Sequence, residues 1–323
     1  MAALAVASAL VLAAACSSSS STASSAVSSS SSSGAQPTTT VSATGVITNT
    51  WTGTPTDPTK VPIGDDGATT TTPAVGKAYV CQAGNASIGG ASKDGPWIHG
   101  DTYDATAKVR VQGSVSWPAA AFTMSVSGDT RAITTNDLPD KQVTGTFPIA
   151  ASDPAHEYDQ NPNKIAEHAT TLTLPASPSA AAKAGCLSGG PIGILLNGVF
   201  FFDALDGPGR DAVAHETQDV CDGHPAPGNE YHYHDIPSCL RDAATGSSTV
   251  VGFAYDGYPI VVERDASGNL PTNADLDECH GRTSPVTLDG AIITTYHYDA
   301  TIEYPYTLGC FHGTNAVASS GPN

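Results

Sequence analysis

"IGILLNGVFFF" (Ile192–Phe202) and "VVGFAYDGYPIVV" (Val250–Val262) decide the fold. Each places a turn pair, Asn197-Gly198 or Asp256-Gly257, between apolar runs rich in β-branched and aromatic residues. Two-residue hairpin turns need positive φ, which Gly, Asn and Asp tolerate, so both stretches are predicted hairpins.

Outward from these hairpins the chain continues in short strand-like runs with almost no helical periodicity. "AKVRVQGSVSW" and "AFTMSVSG" alternate polar and apolar residues, and "QVTGTFPI" and "ATTLTLP" follow. A short helix is expected at "SPSAAAKAGC", Ser177 to Cys186. The fold class expected is mainly β, a single sandwich-like or irregular barrel domain with long loops. With 32 Gly and 23 Pro in 323 residues, the composition agrees with a loop-rich domain.

The N-terminus, "MAALAVASALVLAAAC", is an apolar run of small residues ending at a cysteine. Residues 1–16 read as a lipoprotein-type signal with Cys16 lipidated, the alternative being an ordinary cleaved secretion signal. No Lys or Arg precedes Lys60, so the basic residues of such a signal are expected upstream of Met1. Residues 17–75 read as a disordered Ser/Thr-rich linker, with "TGVITNTW" as a stray strand, and residues 76–323 as the β-rich domain. The expected location is extracytoplasmic, at the cell envelope, with contact to a membrane only through the lipid.

Lys and Arg total 13 against 31 Asp and Glu, a formal charge of -18, which disfavours nucleic acid as a partner. A metal ion, an extracellular glycan or a small molecule suits the charge better. Setting Cys16 aside leaves Cys81, Cys186, Cys221, Cys239, Cys279 and Cys310, an even number that argues for disulfides in an exported chain. Pairing Cys221 with Cys239 and Cys279 with Cys310 encloses one Tyr-His-Tyr phrase in each loop, and Cys81 then pairs with Cys186.

Those phrases are "NEYHYHDIPSCL" (229–240) and "TYHYDATIEYPY" (295–306). On a strand, alternate side chains share a face, so Tyr231 and Tyr233 face one way and His232 and His234 the other. Two imidazoles about 7 Å apart at Cα can converge on one ion. A shared metal site built from both phrases is expected, with His232, His234 and His297 as ligands and Asp299 or His224 completing the shell. His215, His280 and His312 rank behind them, and Glu230, Asp235, Asp256 and Glu303 are nearby carboxylates. Such a set suits Zn or Cu(II), less readily Fe or Mn. Calcium has a candidate loop in "ASDPAHEYDQNPNKIAEH". Tyr231, Tyr233, Asp256 and Tyr258 are candidates for binding a substrate, against the commoner role of strand tyrosines in packing.

Several patterns fail on context. "GPGRDA" (207–212) lacks a strand-turn-helix setting for a dinucleotide loop, and "HETQD" has Asp219 where a zinc-protease helix needs its second histidine. No G-x-S-x-G elbow and no Walker loop occur, so serine hydrolase and nucleotide chemistry have no support.

The blocks "GPIGILLNGVFFFDA", "CDGHPAPGNEYHYHDIPSCL", "VGFAYDGYPIVVERD", "LDECHGR" and "YHYDATIEYPYTLGCFHG" together resemble the YHYH-domain family, over roughly Tyr79 to Gly313. The resemblance implies an exported protein and no particular activity, since the family is named for its motif. It also implies a second phrase that often reads Tyr-His-Tyr-His, whereas Asp299 stands here in place of the last histidine. Three functions follow as expectations. The first is an extracytoplasmic protein that binds a transition metal. The second is a metal-dependent hydrolase, lyase or oxidase acting on an extracellular polymer or glycan, with an open coordination position and a cleft near Tyr258 or Trp97. The third is a non-metal glycan-binding or adhesion module with scattered histidines.

Overall fold

The computed structural model describes residues 36–84 and 90–317. Cys16 and the lipoprotein-type segment lie outside the described residues. The fold is mainly β and is built on one open eight-stranded sheet, with no closed barrel among the described residues. Its strands are β1 (Pro191–Leu195), β2 (Phe200–Phe202), β3 (Gly223–Pro225), β4 (Tyr231–Tyr233), β5 (Ser248–Ala254), β6 (Pro259–Glu263), β7 (Gly281–Leu288) and β8 (Ala291–Asp299). Their spatial order is β3-β4-β2-β1-β5-β6-β8-β7.

The order repeats itself about the middle. In the first half, hairpin β1-β2 is followed by hairpin β3-β4, whose second strand lies parallel to β2. In the second half, hairpin β5-β6 is followed by hairpin β7-β8, whose second strand lies parallel to β6. The halves join antiparallel through β1 and β5, with Gly193 opposite Ala254, Ile194 opposite Phe253 and Leu195 opposite Gly252. The two backbones approach closely there. A Cβ on Gly193 would lie 2.8 Å from the Phe253 carbonyl oxygen, and one on Gly252 would lie 2.6 Å from that of Ile194.

Both predicted hairpins are present, with a turn slightly longer than expected. Of each turn pair only the glycine has positive φ, 89° at Gly198 and 88° at Gly257. Gly198 N–H donates to the Leu195 carbonyl while Leu195 N–H donates to Val199, and Gly257, Ala254 and Tyr258 repeat the pattern. The loops therefore hold three residues, with glycine in the left-handed position that closes the bulge. Asn197 and Asp256 do not need positive φ, because each side chain accepts the backbone N–H two residues on, from Val199 and Tyr258.

Central strands of the sheet are buried on both faces, which is why β6 reads as an apolar run, Pro259 to Val262, before its buried terminal Glu263. A second, three-stranded sheet, Phe122–Ser127, Thr130–Thr135 and Thr170–Pro175, turns Ile133, Leu172 and Leu174 into the same core. Buried Arg131 from that sheet stacks 4.0 Å over the Phe253 ring and pairs with Asp289. The three disulfides are Cys81–Cys186, Cys221–Cys239 and Cys279–Cys310, the pairing expected from the phrases. Such a set belongs to a chain that folds in an oxidising compartment. No described helix is long and apolar enough to cross a membrane.

Two sequence expectations need correction. The linker drawn to residue 75 is too long, because residues from 36 onward are part of the folded body. Thr38–Val41 and Ile47–Thr50 form a hairpin, and Ile47, Asn49 and Val61 are buried. Asn49 is held by donating to the Ser247 and Arg264 carbonyls. The Ala-rich run near Lys183 is a strand, Ala180–Gly185, because pairing with Phe311–Gly313 outweighs its local helix preference.

Candidate metal centre

The tyrosines of the two phrases form the frame. Tyr231 donates to Asp219 at 2.9 Å, and Tyr296 donates to Asp277 at 3.0 Å. Asp219 and Asp277 each also accept the backbone N–H groups of the following cysteine and glycine, Cys221 and Gly223 or Cys279 and Gly281. The second tyrosine of each phrase reaches the hairpin turn. Asn197 donates to the Tyr233 hydroxyl at 2.9 Å, and Tyr298 donates to Asp256 at 2.5 Å. Tyr231, Tyr233, Asp256 and Tyr258 are all at most 4 % exposed. As substrate-binding candidates they are corrected: each is enclosed in the core, and the polar groups of the first three already have partners within the fold. Trp97 is likewise buried, its indole N–H donating to Ala214.

With the tyrosines fixed on one face, the imidazoles converge on the other. β3 pairs with β4 so that His224 stands opposite His232. The Nε2 atoms of His224 and His232 are 3.1 Å apart, as are those of His232 and His234. A Glu216 carboxylate oxygen completes the group, 3.4 Å from His224 and 3.5 Å from His234. A tetrahedral ion with bonds of about 2.0–2.1 Å separates neighbouring ligand atoms by about 3.3 Å. The three Nε2 atoms therefore form a group able to hold one ion, and the Glu216 oxygen lies within 3.5 Å of two of them.

The protons agree with that arrangement. His232 Nδ1 faces the Glu230 carbonyl at 3.3 Å and His234 Nδ1 faces that of Asp203, which leaves each Nε2 as the lone-pair atom. Lone pairs turned toward one another repel unless a cation sits among them. The inward Glu216 oxygen is buried with no hydrogen-bond partner. Burial, reinforced by neighbouring imidazoles, lowers His224 and His232 well below the ordinary range, and burial takes His234 down to about 4. All three are thus neutral donors at neutral pH. Burial raises Glu216 well above the usual carboxylate range, with Asp159 and Asp206 adding to the effect. Its nearest cations, Lys108 and Arg210, act only at longer range, and neither forms an ion pair with it.

His297 and Asp299 do not join this group, which corrects the expectation of one site shared by both phrases. β4 and β8 are separated by four strands, a distance of about 24 Å at about 4.8 Å per strand. His297 and Asp299 instead form a second cluster with Glu263. His297 Nε2 lies 3.4 Å from Glu263 and 3.5 Å from Asp299, and all three side chains are fully buried. Arg282, opposite His297 on β7, pairs with Glu263 and lies 3.6 Å from Asp299. Burial alone would lower His297, yet Asp299 and Glu263 carry it above its ordinary value.

The remaining candidates have separate structural partners. His215 bridges Asp65 and Asp94, His280 contacts Thr301, and His312 stacks on Tyr296 at 3.6 Å. Glu303 accepts from Thr56 and Asn273. Burial raises Glu230 and Asp235 to about 7, and neither belongs to a cluster. In the proposed calcium loop Asp153 caps a short 3-10 helix and Asp159 accepts from Thr217, and the described groups able to hold an ion do not include them.

Residues 171–270 match the family model described as YHYH protein. The resemblance read from the motifs therefore holds over the first phrase and the two signature hairpins. No curated protein and no solved structure matches the chain.

Proposed function

Starting from a chain whose residues 171–270 carry a YHYH domain, we propose that this is an extracytoplasmic protein that binds one transition-metal ion, Zn or Cu, through His224, His232 and His234, with Glu216 beside them as a further oxygen ligand. The observation that carries the reading is the convergence of three buried, neutral imidazole Nε2 atoms, two of them with Nδ1 turned to a backbone carbonyl, beside an orphaned Glu216 oxygen. A donor set of three nitrogens and one oxygen suits these metals. Binding is favoured over catalysis because His224, His232, His234 and the adjacent Glu216 are each at most 8 % exposed, so water and substrate have little access to the group. Catalytic zinc sites keep one position open to water. A cavity of about 270 Å³ beside Asn197, Leu240 and Val251 includes none of the four.

Metal analysis of the purified chain beside a His232→Ala/His234→Ala variant tests the proposal. One equivalent of Zn or Cu in the wild type and none in the variant is expected, and equal, negligible metal in both refutes it. Lipid attachment at Cys16 belongs to the same reading. Cys16→Ser is expected to move the protein from the membrane fraction to the soluble fraction, and unchanged fractionation would refute it.

A further inference from the structure

The second cluster sits in the same frame as the first, position by position. "GILLNG" (193–198) corresponds to "GFAYDG" (252–257), "DVCDGH" (219–224) to "DECHGR" (277–282), and "YHYH" (231–234) to "YHYD" (296–299). The correspondence is structural as well as textual. His224 opposite His232 is matched by Arg282 opposite His297. Parallel pairing of Phe201 with Tyr233 is matched by that of Ile260 with Tyr298. Asp222 and His280, midway through the matched segments, share positive φ, 58° and 68°. His232 and His297 both turn Nδ1 to the carbonyl two residues back, at 3.3 and 3.2 Å. Gly223 and Gly281 each leave the room that a tyrosine ring of the phrase fills.

Of the three imidazole positions of the first cluster, two differ in the second: Arg282 replaces His224 and Asp299 replaces His234. The carboxylates also enter differently, since Glu216 comes from the loop before β3 whereas Glu263 ends β6 at the place of Ala204. We infer that the sheet is a tandem pair of one metal-site unit, and that in the second copy the Arg282 guanidinium stands in for the ion and keeps metal out.

The charges support this. Two fully buried carboxylates, Glu263 and Asp299, face one guanidinium whose side chain is 10 % exposed. A divalent ion entering beside Arg282 would meet a fixed positive charge inside a low-dielectric site. Arg282 is also held in place from the far side. Thr39 and Asn49 of the N-terminal hairpin accept from it at 2.9 and 3.2 Å, and its guanidinium lies 4.6 Å over the Trp51 ring. Among the described residues the first cluster has no such resident cation, which leaves its place for the metal that the second excludes.

This inference rests on the metal-binding reading for its comparison site, and the variants separate the two. The full chain, stripped and then dialysed against Zn(II), is assayed for Zn per chain. The wild type is expected to hold one and Arg282→His two. His232→Ala/His234→Ala is expected to hold none, and the triple variant one. Arg282→Gln, which leaves three ligands without the guanidinium, also gains a site and serves if Arg282→His does not fold. Arg282 variants that stay at the wild-type number overturn the inference, as does one Zn retained by His232→Ala/His234→Ala with Arg282 intact. A wild type with no Zn beside an Arg282→His variant with one would refute the first-site reading while upholding this one.

Discussion

Removing the Asp219 carboxylate tests whether the phrase is held by its tyrosine frame. Asp219 is fully buried and accepts from four donors: the Tyr231 hydroxyl at 2.9 Å, Gly145 and Cys221 N–H at 2.8 Å each, and Gly223 N–H at 3.3 Å. At about 1 kcal/mol net per hydrogen bond, Asp219→Ala costs about 4 kcal/mol, whereas Tyr231→Phe, which breaks one of the four, costs about 1 kcal/mol. The pH dependence adds an independent sign. Burial raises Asp219 from 3.8 to about 6, so between those values the folded chain holds a proton that the unfolded chain has released. Its contribution to stability therefore grows as pH falls through that window, by about 3 kcal/mol in all at about 1.4 kcal/mol per pKa unit. The gap between wild type and Asp219→Ala should widen from pH 7.5 to pH 4. Urea denaturation of the metal-free proteins, disulfides intact and followed by circular dichroism, measures it. A gap below about 1 kcal/mol at pH 7.5, or one that narrows on acidification, would refute the reasoning.

Three further outcomes are expected. Burial holds His280 neutral, its pKa lowered from 6.5 to about 3, so stability should rise with pH between those values by about 1.4 kcal/mol per unit. His280→Asn should lose that one-proton slope, and an unchanged slope in pH-dependent urea titrations would contradict the assignment. Opening the 31-residue Cys279–Cys310 loop with serines should cost about 4 kcal/mol on chain-entropy grounds while leaving metal binding by the first cluster intact. Thermal denaturation and metal content, run together, check both halves of that statement. Gly193→Ala places a methyl 2.8 Å from the Phe253 carbonyl oxygen and should destabilise by about 1–3 kcal/mol, and a variant as stable as the wild type would mean that β1 and β5 part easily.

The central sheet was legible because its signals are local. Apolar runs around a turn pair define β1-β2 and β5-β6, and alternation puts Tyr231 and His232 on opposite faces. Disulfide pairing was legible for the same reason, each of two bridges closing on one phrase. What the chain hides is long-range order. Repetition of the phrase reads equally well as two halves of one site or as two sites, and only the strand order, with β2, β1, β5 and β6 between the phrases, decides. Glu216 is masked in the sequence by its setting in "HETQD", which lacks the second histidine of a protease helix, so that its only signal is a carboxylate eight residues before His224. Arg282 and Glu263 carry no motif and become meaningful only once His297 lies beside them. The segment from residue 36 reads as linker because it is rich in Thr and continues the Ser-rich run before it, yet Ile47 and Asn49 alternate inward with exposed neighbours, the same two-residue period that marks the other strands.

The pairing of β1 with β5 has a consequence for any shorter chain. Gly193 opposite Ala254 and Leu195 opposite Gly252 is the register of an isologous contact, each side presenting equivalent residues to the other around Ile194 and Phe253. A chain with only one of the two units would end in an open edge at that strand, already shaped to accept a copy of itself. Such a half-length protein would meet its twin as a symmetric dimer, in the register that β1 and β5 adopt here within a single polypeptide.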